Sequence, residues 1–166
     1  MKIALISGSP RAERNSHQVT LFIESLLTEK SIQTQILDVI DYKNGNLSAE
    51  SFSQGLKEAD GIIIVSPEYN GLFPGELKTM LDTVNLYSEK PAMVAGVSTG
   101  VLGGVLAAKA LQQYLVKMEA YLYPKFIISP SVESLFVDQK VVEGFYKNVV
   151  TDTVNGFVSF CQKLKD

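Results

Sequence analysis

The chain has 166 residues, of which 46% are hydrophobic, and its 15 basic and 18 acidic side chains leave a formal net charge of −3. This length predicts one domain spanning residues 1–166, large enough to bury roughly 70% of its unfolded surface without disulfide bonds. A weak negative charge without a basic stripe argues against nucleic acid or an anionic membrane as a partner, and no segment approaches the length of a membrane span.

Segments with strand and helix patterns alternate along the chain. Strands are predicted where aliphatic residues run together, and helices where apolar residues recur at i, i+3, i+4 and i+7. The predicted strands cover residues 2–6, 34–39, 62–65, 91–97 and 126–128. The predicted helices cover about residues 16–27, 51–59, 76–84, 105–118 and 138–166. In the last helix we expect five apolar side chains to face inward, namely Val141, Phe145, Val149, Phe157 and Phe160.

Five strands with intervening helices predict a doubly wound parallel α/β sheet, because right-handed crossovers place helices on both faces. The strands at 62–65 and 91–97 show no polar alternation, which is typical of strands buried on both faces. The strand at 34–39 alternates and therefore belongs at an edge, which favours the order 2-1-3-4-5. This is the flavodoxin-like arrangement, in which FMN binds at the switch point between strands 1 and 3.

The loop after strand 1 contains the only two arginines of the chain, Arg11 and Arg14. An arginine fork binds phosphate in a bidentate manner, and the N-terminus of the following helix adds a partial positive charge. Ser9 and Ser16 add hydroxyl groups, so we interpret this loop as a phosphate site. The alternative is an ordinary capped turn whose arginines are solvated.

The loop after strand 3, residues 66–75, has a composition suited to a flat ligand. Two prolines and two glycines make its backbone rigid and allow close approach, while Tyr69 and Phe73 offer apolar walls. Glu68 could act as a base, but a carboxylate at a loop tip more often accepts backbone hydrogen bonds. Because the loop leaves the carboxyl edge of a parallel strand, it lies where α/β proteins bind ligands.

The loop after strand 4, residues 98–104, is rich in glycine. Its backbone N–H groups can approach the pyrimidine edge of a flavin, where a helix N-terminus stabilises negative charge. The alternative is close packing of helix on strand, which alone accounts for Gly103 and Gly104. Strands 1, 3 and 4 are neighbours in the predicted order, so the three loops are expected to form one site.

Single histidine and cysteine residues limit the chemistry that side chains can perform. Cys161 lies in an apolar helical segment, which indicates a core thiol in a reducing, cytoplasmic compartment. His17 lies on the first turn of helix 1, where we expect it to face solvent. One His and one Cys do not support a transition-metal site or a Cys–His nucleophile, so no metal is predicted.

Motifs in all three loops carry a family resemblance. They are Gly8-Ser9-Pro10-Arg11 with Ser16, Pro67-Glu68-Tyr69-Asn70-Gly71, Pro74-Gly75-x-Leu77-Lys78, Asp82, and residues 98–104. Together they resemble the NADPH-dependent FMN reductase family, which includes azobenzene, quinone and chromate reductases of bacteria. The resemblance implies a flavodoxin-like fold, bound FMN, and assembly as a homodimer or homotetramer.

The resemblance also implies which residues bind the cofactor. Phosphate binding is implied for Ser9, Arg11 and Ser16, and for Gln18, which stands where the family usually has Asn. The loop that contacts the flavin, much of it through backbone atoms, corresponds to Pro67, Glu68, Tyr69, Asn70 and Gly71. The pyrimidine edge and ribityl chain correspond to Ser98, Thr99, Gly100 and Gly103.

The function implied is that of an NAD(P)H-dependent oxidoreductase with FMN as cofactor. Hydride would pass from NADPH or NADH to the flavin, and then in a ping-pong cycle to a small acceptor such as free flavin, a quinone, an azo compound or a metal oxyanion. The cofactor carries the chemistry, so no catalytic side chain is predicted. The alternatives are an FMN electron carrier without its own NAD(P)H activity and a non-flavin α/β protein that binds another phosphate.

Overall fold

The computed structural model describes residues 1–165, which form a parallel six-stranded sheet, a small β-hairpin and helices on both faces of the sheet. The strands are β1 (Lys2–Ser7), β2 (Gln33–Asp38), β3 (Gly61–Pro67), β4 (Pro91–Val97), β5 (Tyr121–Leu122), β6 (Ile127–Ser129), β7 (Phe136–Val137) and β8 (Lys140–Val141). The helices are α1 (Asn15–Thr28), α2 (Val39–Lys43), α3 (Ala49–Glu58), α4 (Gly75–Leu81), α5 (Val105–Lys117) and α6 (Phe145–Lys163), with a 3-10 helix at Val132–Ser134.

The strand order of the main sheet is β2-β1-β3-β4-β5, and every pairing within it is parallel. This confirms the predicted doubly wound sheet of order 2-1-3-4-5. The three central strands are buried along almost their whole length, whereas β2 is half-exposed over most of its length, as its alternating sequence predicts. The loops that leave β1, β3 and β4 therefore start side by side at one edge of the sheet.

Two apolar clusters, one on each face, hold the helices to the sheet. Alternate side chains of β1 separate cleanly, since Ile3 and Leu5 join one cluster while Ala4 and Ile6 join the other. The first cluster buries the apolar faces of α1 and α6, and the second buries those of α3, α4 and α5. A helix layer on each face thus excludes water from the strands and fixes the edge from which the site loops rise.

The fifth strand differs from the single predicted segment at 126–128. Two short strands, β5 and β6, pair with successive parts of β4, and the chain between them leaves the sheet. Pro124 lies in this interruption, and proline cannot donate a ladder hydrogen bond, so the break falls where the sequence cannot continue the sheet.

The prediction that the chain is helical from residue 138 is wrong for its first part. Residues 136–141 form the β7–β8 hairpin, and α6 begins only at Phe145. Two of the side chains expected to face inward, Phe145 and Val149, are exposed, whereas Phe157 is fully buried. Apolar residues continue at helical spacing through the hairpin, so the sequence does not mark where α6 begins. The buried face of α6 lies further along the helix, where it packs against the sheet.

The turn of this hairpin gives a stability prediction. Asp138 and Gln139 both have positive φ, 48° and 64°, the conformation of a type I′ turn, which favours Asn-Gly. We expect Asp138→Asn with Gln139→Gly to raise the free energy of unfolding by roughly 0.5–1 kcal/mol, since left-handed conformations cost non-glycine residues about 1–2 kcal/mol. Urea unfolding measures this change. Gln139→Ala is the control, because it keeps the Cβ and should bring no gain.

Cys161 is fully buried in the core, as predicted, and burial raises the pKa of its thiol to about 12. Such a thiol stays protonated at physiological pH and serves as a packing group. Between residues 1 and 165, no helix is long and apolar enough to cross a membrane. The same residues include no group of three His, Cys, Asp or Glu side chains placed to hold a metal ion.

Candidate cofactor site

A cleft of about 370 Å³ opens at the carboxyl edge of the sheet, where the three predicted loops meet. Its walls come from the loops after β1, β3 and β4, with one further side chain from the 3-10 helix. The lining residues are Ser9, Arg11, Glu13, Arg14, Asn15, Ser16, Pro67, Glu68, Tyr69, Asn70, Val97, Ser98, Thr99 and Val132. The cleft lies at the switch point between β1 and β3, the position where this topology binds ligands.

Most of the predicted cofactor-binding residues line this cleft. These are Ser9, Arg11, Ser16, Pro67, Glu68, Tyr69, Asn70, Ser98 and Thr99. Four predicted positions lie outside its lining, namely Gln18, Gly71, Gly100 and Gly103. Gln18 is half-buried within the first turn of α1, and Gly103 is buried beneath the third loop.

The N-terminus of α1 lies at the cleft, and no side chain accepts a hydrogen bond from the first N–H groups of this helix. No side chain caps this helix and its first turn holds no acidic residue, whereas α2 and α3 are capped by Asp38 and Ser48. Ser16, in this first turn, has a buried hydroxyl that makes no hydrogen bond within residues 1–165. A buried orphan hydroxyl beside open helix N–H groups fits an anion, and in particular a phosphate group.

Arg11 provides an exposed positive charge at the cleft. Its guanidinium lies over the ring of Tyr69, 4.5 Å from the centroid, and it makes no ion pair with another residue in the range 1–165. The stack joins the first loop to the second and leaves the guanidinium exposed at the mouth of the cleft. A phosphate at the α1 N-terminus would thus meet both fixed helix dipoles and an uncommitted arginine.

Arg14 is not solvated but held in an ion pair. Its two terminal nitrogens donate to the two carboxylate oxygens of Asp38 at 2.8 and 2.7 Å, and both side chains are largely buried. His17 is also less exposed than expected, because its Nδ1 lies 3.0 Å from the Ser7 hydroxyl and 3.5 Å from Asp38. Sequence reasoning missed Asp38, although its place at the end of β2 puts it on the same sheet edge.

The surroundings of His17 give a pH prediction. Burial, followed by the nearby charge of Arg14, lowers the pKa of His17 below its ordinary value of 6.5. The unfolded chain therefore binds this proton more readily than the native protein, and the free energy of unfolding falls as pH drops below about 6.5. Urea unfolding at pH 7.5 and 5.5 measures the fall. His17→Gln should reduce it, and an unchanged fall in the variant would contradict the assignment.

The second loop is a tight hairpin at its tip. Tyr69 and Leu72 exchange backbone hydrogen bonds of 2.7 and 3.1 Å around Asn70 and Gly71, whose φ values of 52° and 81° define a type I′ turn. The Asn-Gly pair is a strong hairpin signal, so this turn is one that the sequence could have revealed. The turn fixes Tyr69 at the wall of the cleft.

Glu68 ties the second loop to the third. Its carboxylate accepts hydrogen bonds from the backbone N–H groups of Leu106 at 3.0 Å and Ala107 at 3.4 Å, in the first turn of α5. Glu68 thus caps this helix from another loop, an arrangement that favours a negative charge. The side chain is engaged in structure rather than free to act as a base.

The third loop lies very close to the sheet, because Gly104 in the loop and Gly96 in β4 have no side chain between them. A Cβ placed on Gly104 would lie 2.2 Å from the backbone nitrogen of Val97, and one on Gly96 would lie 2.1 Å from the Gly104 carbonyl oxygen. Gly103 packs in the same way against Pro130. Close packing of α5 on β4 therefore accounts for Gly104, as in the alternative noted above, and close packing on Pro130 accounts for Gly103, while Ser98 and Thr99 remain at the cleft.

These features fit FMN. The α1 end and the orphan Ser16 hydroxyl suit a phosphate, the Tyr69 loop suits a planar ring, and a volume of about 370 Å³ lies within the range of small-molecule sites. Fold and site together define a flavodoxin-like α/β protein with a phosphate-binding cleft at its switch point. Residues 1–133 match the NADPH-dependent FMN reductase family, and the chain belongs to that family.

Two curated relatives and one solved structure illustrate the similarity. A 2-hydroxy-1,4-benzoquinone reductase from a Burkholderia species is 31% identical over 136 residues, which cover 74% of this chain and 72% of the relative. A quinone reductase from Escherichia coli K12 is 29% identical over 126 residues, covering 71% and 67%. The NAD(P)H:(acceptor) oxidoreductase FerB from Paracoccus denitrificans superposes with a TM-score of 0.82 at 24% identity, covering 98% and 97%, and shows the same fold.

Family membership confirms several predictions at once. The predicted resemblance is correct, the protein is an enzyme, and its cofactor is FMN with NAD(P)H as electron donor. The flavodoxin-like fold is also confirmed by the structural match. The cofactor-binding residues, the acceptor and the oligomeric state stay predictions.

Proposed function

We propose that this protein transfers electrons from NADPH or NADH, through FMN held in the cleft, to a small acceptor of the quinone class in a ping-pong cycle. One observation supports the proposal most strongly. The uncapped N-terminus of α1, the unpaired hydroxyl of Ser16 and the ring of Tyr69 all lie in one cleft. When bound, FMN supplies hydride acceptance and release at its ring system. The protein supplies binding, orientation and a stacking surface.

Each loop has a separate task in this proposal. The N–H groups at the start of α1, with Ser9, Arg11 and Ser16, hold the phosphate group. The loop at 67–71 lies along the ring, with Tyr69 as a wall and backbone atoms as contacts. The loop at 98–100 lies at the polar end of the ring, where Ser98 and Thr99 line the cleft. No side chain of the cleft is assigned a proton transfer.

A quinone is supported as acceptor by two observations. Both curated relatives described above are named as reductases of quinones. In addition, the second loop, the third loop and the start of α5 carry four exposed apolar side chains, which we call the rim patch: Leu72, Val101, Leu102 and Leu106. An apolar rim suits a ring-shaped acceptor better than a metal oxyanion, because apolar surface binds apolar ligands and not strongly hydrated anions.

Steady-state kinetics test this proposal directly. We expect 1,4-benzoquinone to give a higher kcat/KM than an azo dye, chromate or free FMN, with NADPH and then NADH as donor. Double-reciprocal plots at several quinone concentrations should give parallel lines, the pattern of a ping-pong cycle. Intersecting lines would contradict the ping-pong order, and a higher kcat/KM for chromate would contradict the quinone assignment.

We also propose that the protein is a cytoplasmic homodimer or homotetramer. The rim patch supports assembly, because Val101 is 83% exposed and Leu102 59% exposed, and exposed apolar side chains that lie close together commonly mark contacts between subunits. The free, buried thiol of Cys161 suits a reducing compartment. Light scattering during gel filtration measures the assembly, and a monomer at micromolar concentration would contradict it.

A further inference from the structure

The two arginines of the first loop have different partners, although both line the cleft. Arg11 is exposed and uncommitted, whereas the Arg14 guanidinium forms two parallel hydrogen bonds with Asp38. The Arg14 and Asp38 side chains are only 12% and 7% exposed. Planar, bidentate pairing uses the arginine fork fully and fixes its orientation. Arg14 therefore carries little free charge with which to attract an anion.

Asp38, the last residue of β2, is the centre of a cluster that joins this strand to β1, α1 and α2. Besides Arg14, it accepts a hydrogen bond from the backbone N–H of Ile40 at 3.2 Å, which caps α2. Its other oxygen lies 3.5 Å from Nδ1 of His17, on the first turn of α1, and this nitrogen lies 3.0 Å from the Ser7 hydroxyl at the end of β1. The cluster thus ties together the ends of β1 and β2 and the start of α1.

The same cluster reaches the backbone of the phosphate loop. Arg14 also donates to the carbonyl oxygen of Ser9 at 3.3 Å, and Arg14 is itself the residue that precedes α1. Movement of Arg14 would therefore shift both Ser9 and the open N–H groups of the helix. Asp38 does not line the cleft, so any effect it has on a ligand is transmitted through Arg14.

We propose that Asp38 is a positioning residue for FMN, which acts through Arg14 to hold the phosphate loop and the α1 N-terminus in their binding arrangement. The inference rests on the proposed phosphate binding at this cleft. In this arrangement Arg14 stabilises the loop, and Arg11 is the arginine that contacts the phosphate. A buried partner that holds a binding group in place affects affinity indirectly, and for the comparable outer partners of metal ligands the loss on mutation is about 10- to 100-fold.

A direct contact of Arg14 with the phosphate and a positioning role of Asp38 predict different effects of Asp38→Asn on the affinity for FMN. If Arg14 binds phosphate directly, Asp38→Asn removes a competing negative charge and should leave FMN affinity unchanged or higher. If Asp38 positions the loop, the same variant should weaken FMN binding about tenfold, because an amide cannot accept two charge-assisted bonds from Arg14. Riboflavin, which lacks the phosphate, should lose much less affinity, so the ratio of riboflavin to FMN dissociation constants should fall.

The experiment is a titration of the apoprotein with FMN and with riboflavin, followed by quenching of flavin fluorescence. Asp41→Asn is the matched control, since Asp41 is an exposed carboxylate three residues away whose side chain makes no hydrogen bond or ion pair within residues 1–165. We expect Asp38→Asn to lower FMN affinity about tenfold and Asp41→Asn to leave it unchanged. Equal or tighter FMN binding by Asp38→Asn would overturn the inference.

Arg14→Lys keeps the positive charge but loses the fork, and it provides a second variant if Asp38→Asn folds poorly. The positioning role predicts a loss of FMN affinity close to that of Arg14→Gln, whereas a direct charge contact predicts that lysine retains most of it. Thermal unfolding of each apoprotein checks that the fold is present. Wild-type protein that binds riboflavin as tightly as FMN would overturn the phosphate site itself, an outcome distinct from failure of the Asp38 role.

Discussion

Arg11→Ala is expected to lower the affinity for FMN by about 10- to 100-fold, since a hydrogen bond to a charged group contributes about 1.5–3 kcal/mol. The guanidinium lies at the mouth of the cleft over Tyr69 and has no carboxylate partner within residues 1–165. Its charge is therefore available to a phosphate. Riboflavin affinity should change little, because riboflavin has no phosphate to meet this charge.

Lys109→Ala is the matched control for this variant. Lys109 also lies over an aromatic ring, that of Phe126 at 4.4 Å, but it is on α5 and outside the cleft lining. The Lys109→Ala substitution removes one exposed positive charge and one cation–π contact, as Arg11→Ala does, and leaves the proposed phosphate site unchanged. Unchanged FMN affinity in Arg11→Ala, or an equal loss in Lys109→Ala, would show that the phosphate is bound elsewhere.

Gly104→Ala is expected to destabilise the protein by about 3 kcal/mol or more. The residue has φ of 80°, a left-handed conformation that costs alanine about 1–2 kcal/mol, and overpacking adds about 1–3 kcal/mol. The added Cβ would lie 2.2 Å from the Val97 nitrogen and 2.6 Å from the Gly96 carbonyl carbon. Both contacts are backbone atoms of β4 and cannot rotate away as a side chain could.

Urea unfolding of the apoprotein measures this loss, with Gly75→Ala as the control. Gly75 is the first residue of α4 and is exposed, and a Cβ added to it would have no atom within 4 Å, so alanine there should change stability by less than about 0.5 kcal/mol. A Gly104→Ala protein as stable as the Gly75→Ala protein would contradict the close approach of α5 to β4.

The sheet and its strand order are predictable from the sequence because a strand buried on both faces is a continuous run of apolar residues, whereas an edge strand alternates. The Ile62–Val65 run has no polar residue, while β2 alternates, and these two patterns alone place β3 in the centre and β2 at the edge. The positions of the three loops follow from the parallel order. For the same reason most of the cleft lining can be named from the sequence alone.

The rest of the site and the start of the last helix depend on contacts that no local sequence pattern indicates. Arg11 and Arg14 are three residues apart and alike in chemistry, yet only the position of Asp38 decides that one is paired and the other free. Glu68 caps α5 across 38 positions of sequence, which no capping motif could reveal. The start of α6 at Phe145 is likewise decided by the neighbouring β-hairpin, since the apolar spacing itself continues through it.

The proposed function requires that this protein itself passes electrons from NAD(P)H into an FMN bound in the cleft. Its most direct test is anaerobic mixing of the FMN-loaded protein with NADPH or NADH while the visible absorbance of the oxidised flavin is followed. We expect the absorbance to bleach, and the oxidised spectrum to return when 1,4-benzoquinone is added. A loaded protein whose flavin stays oxidised with either nucleotide would contradict the claim and leave an electron carrier.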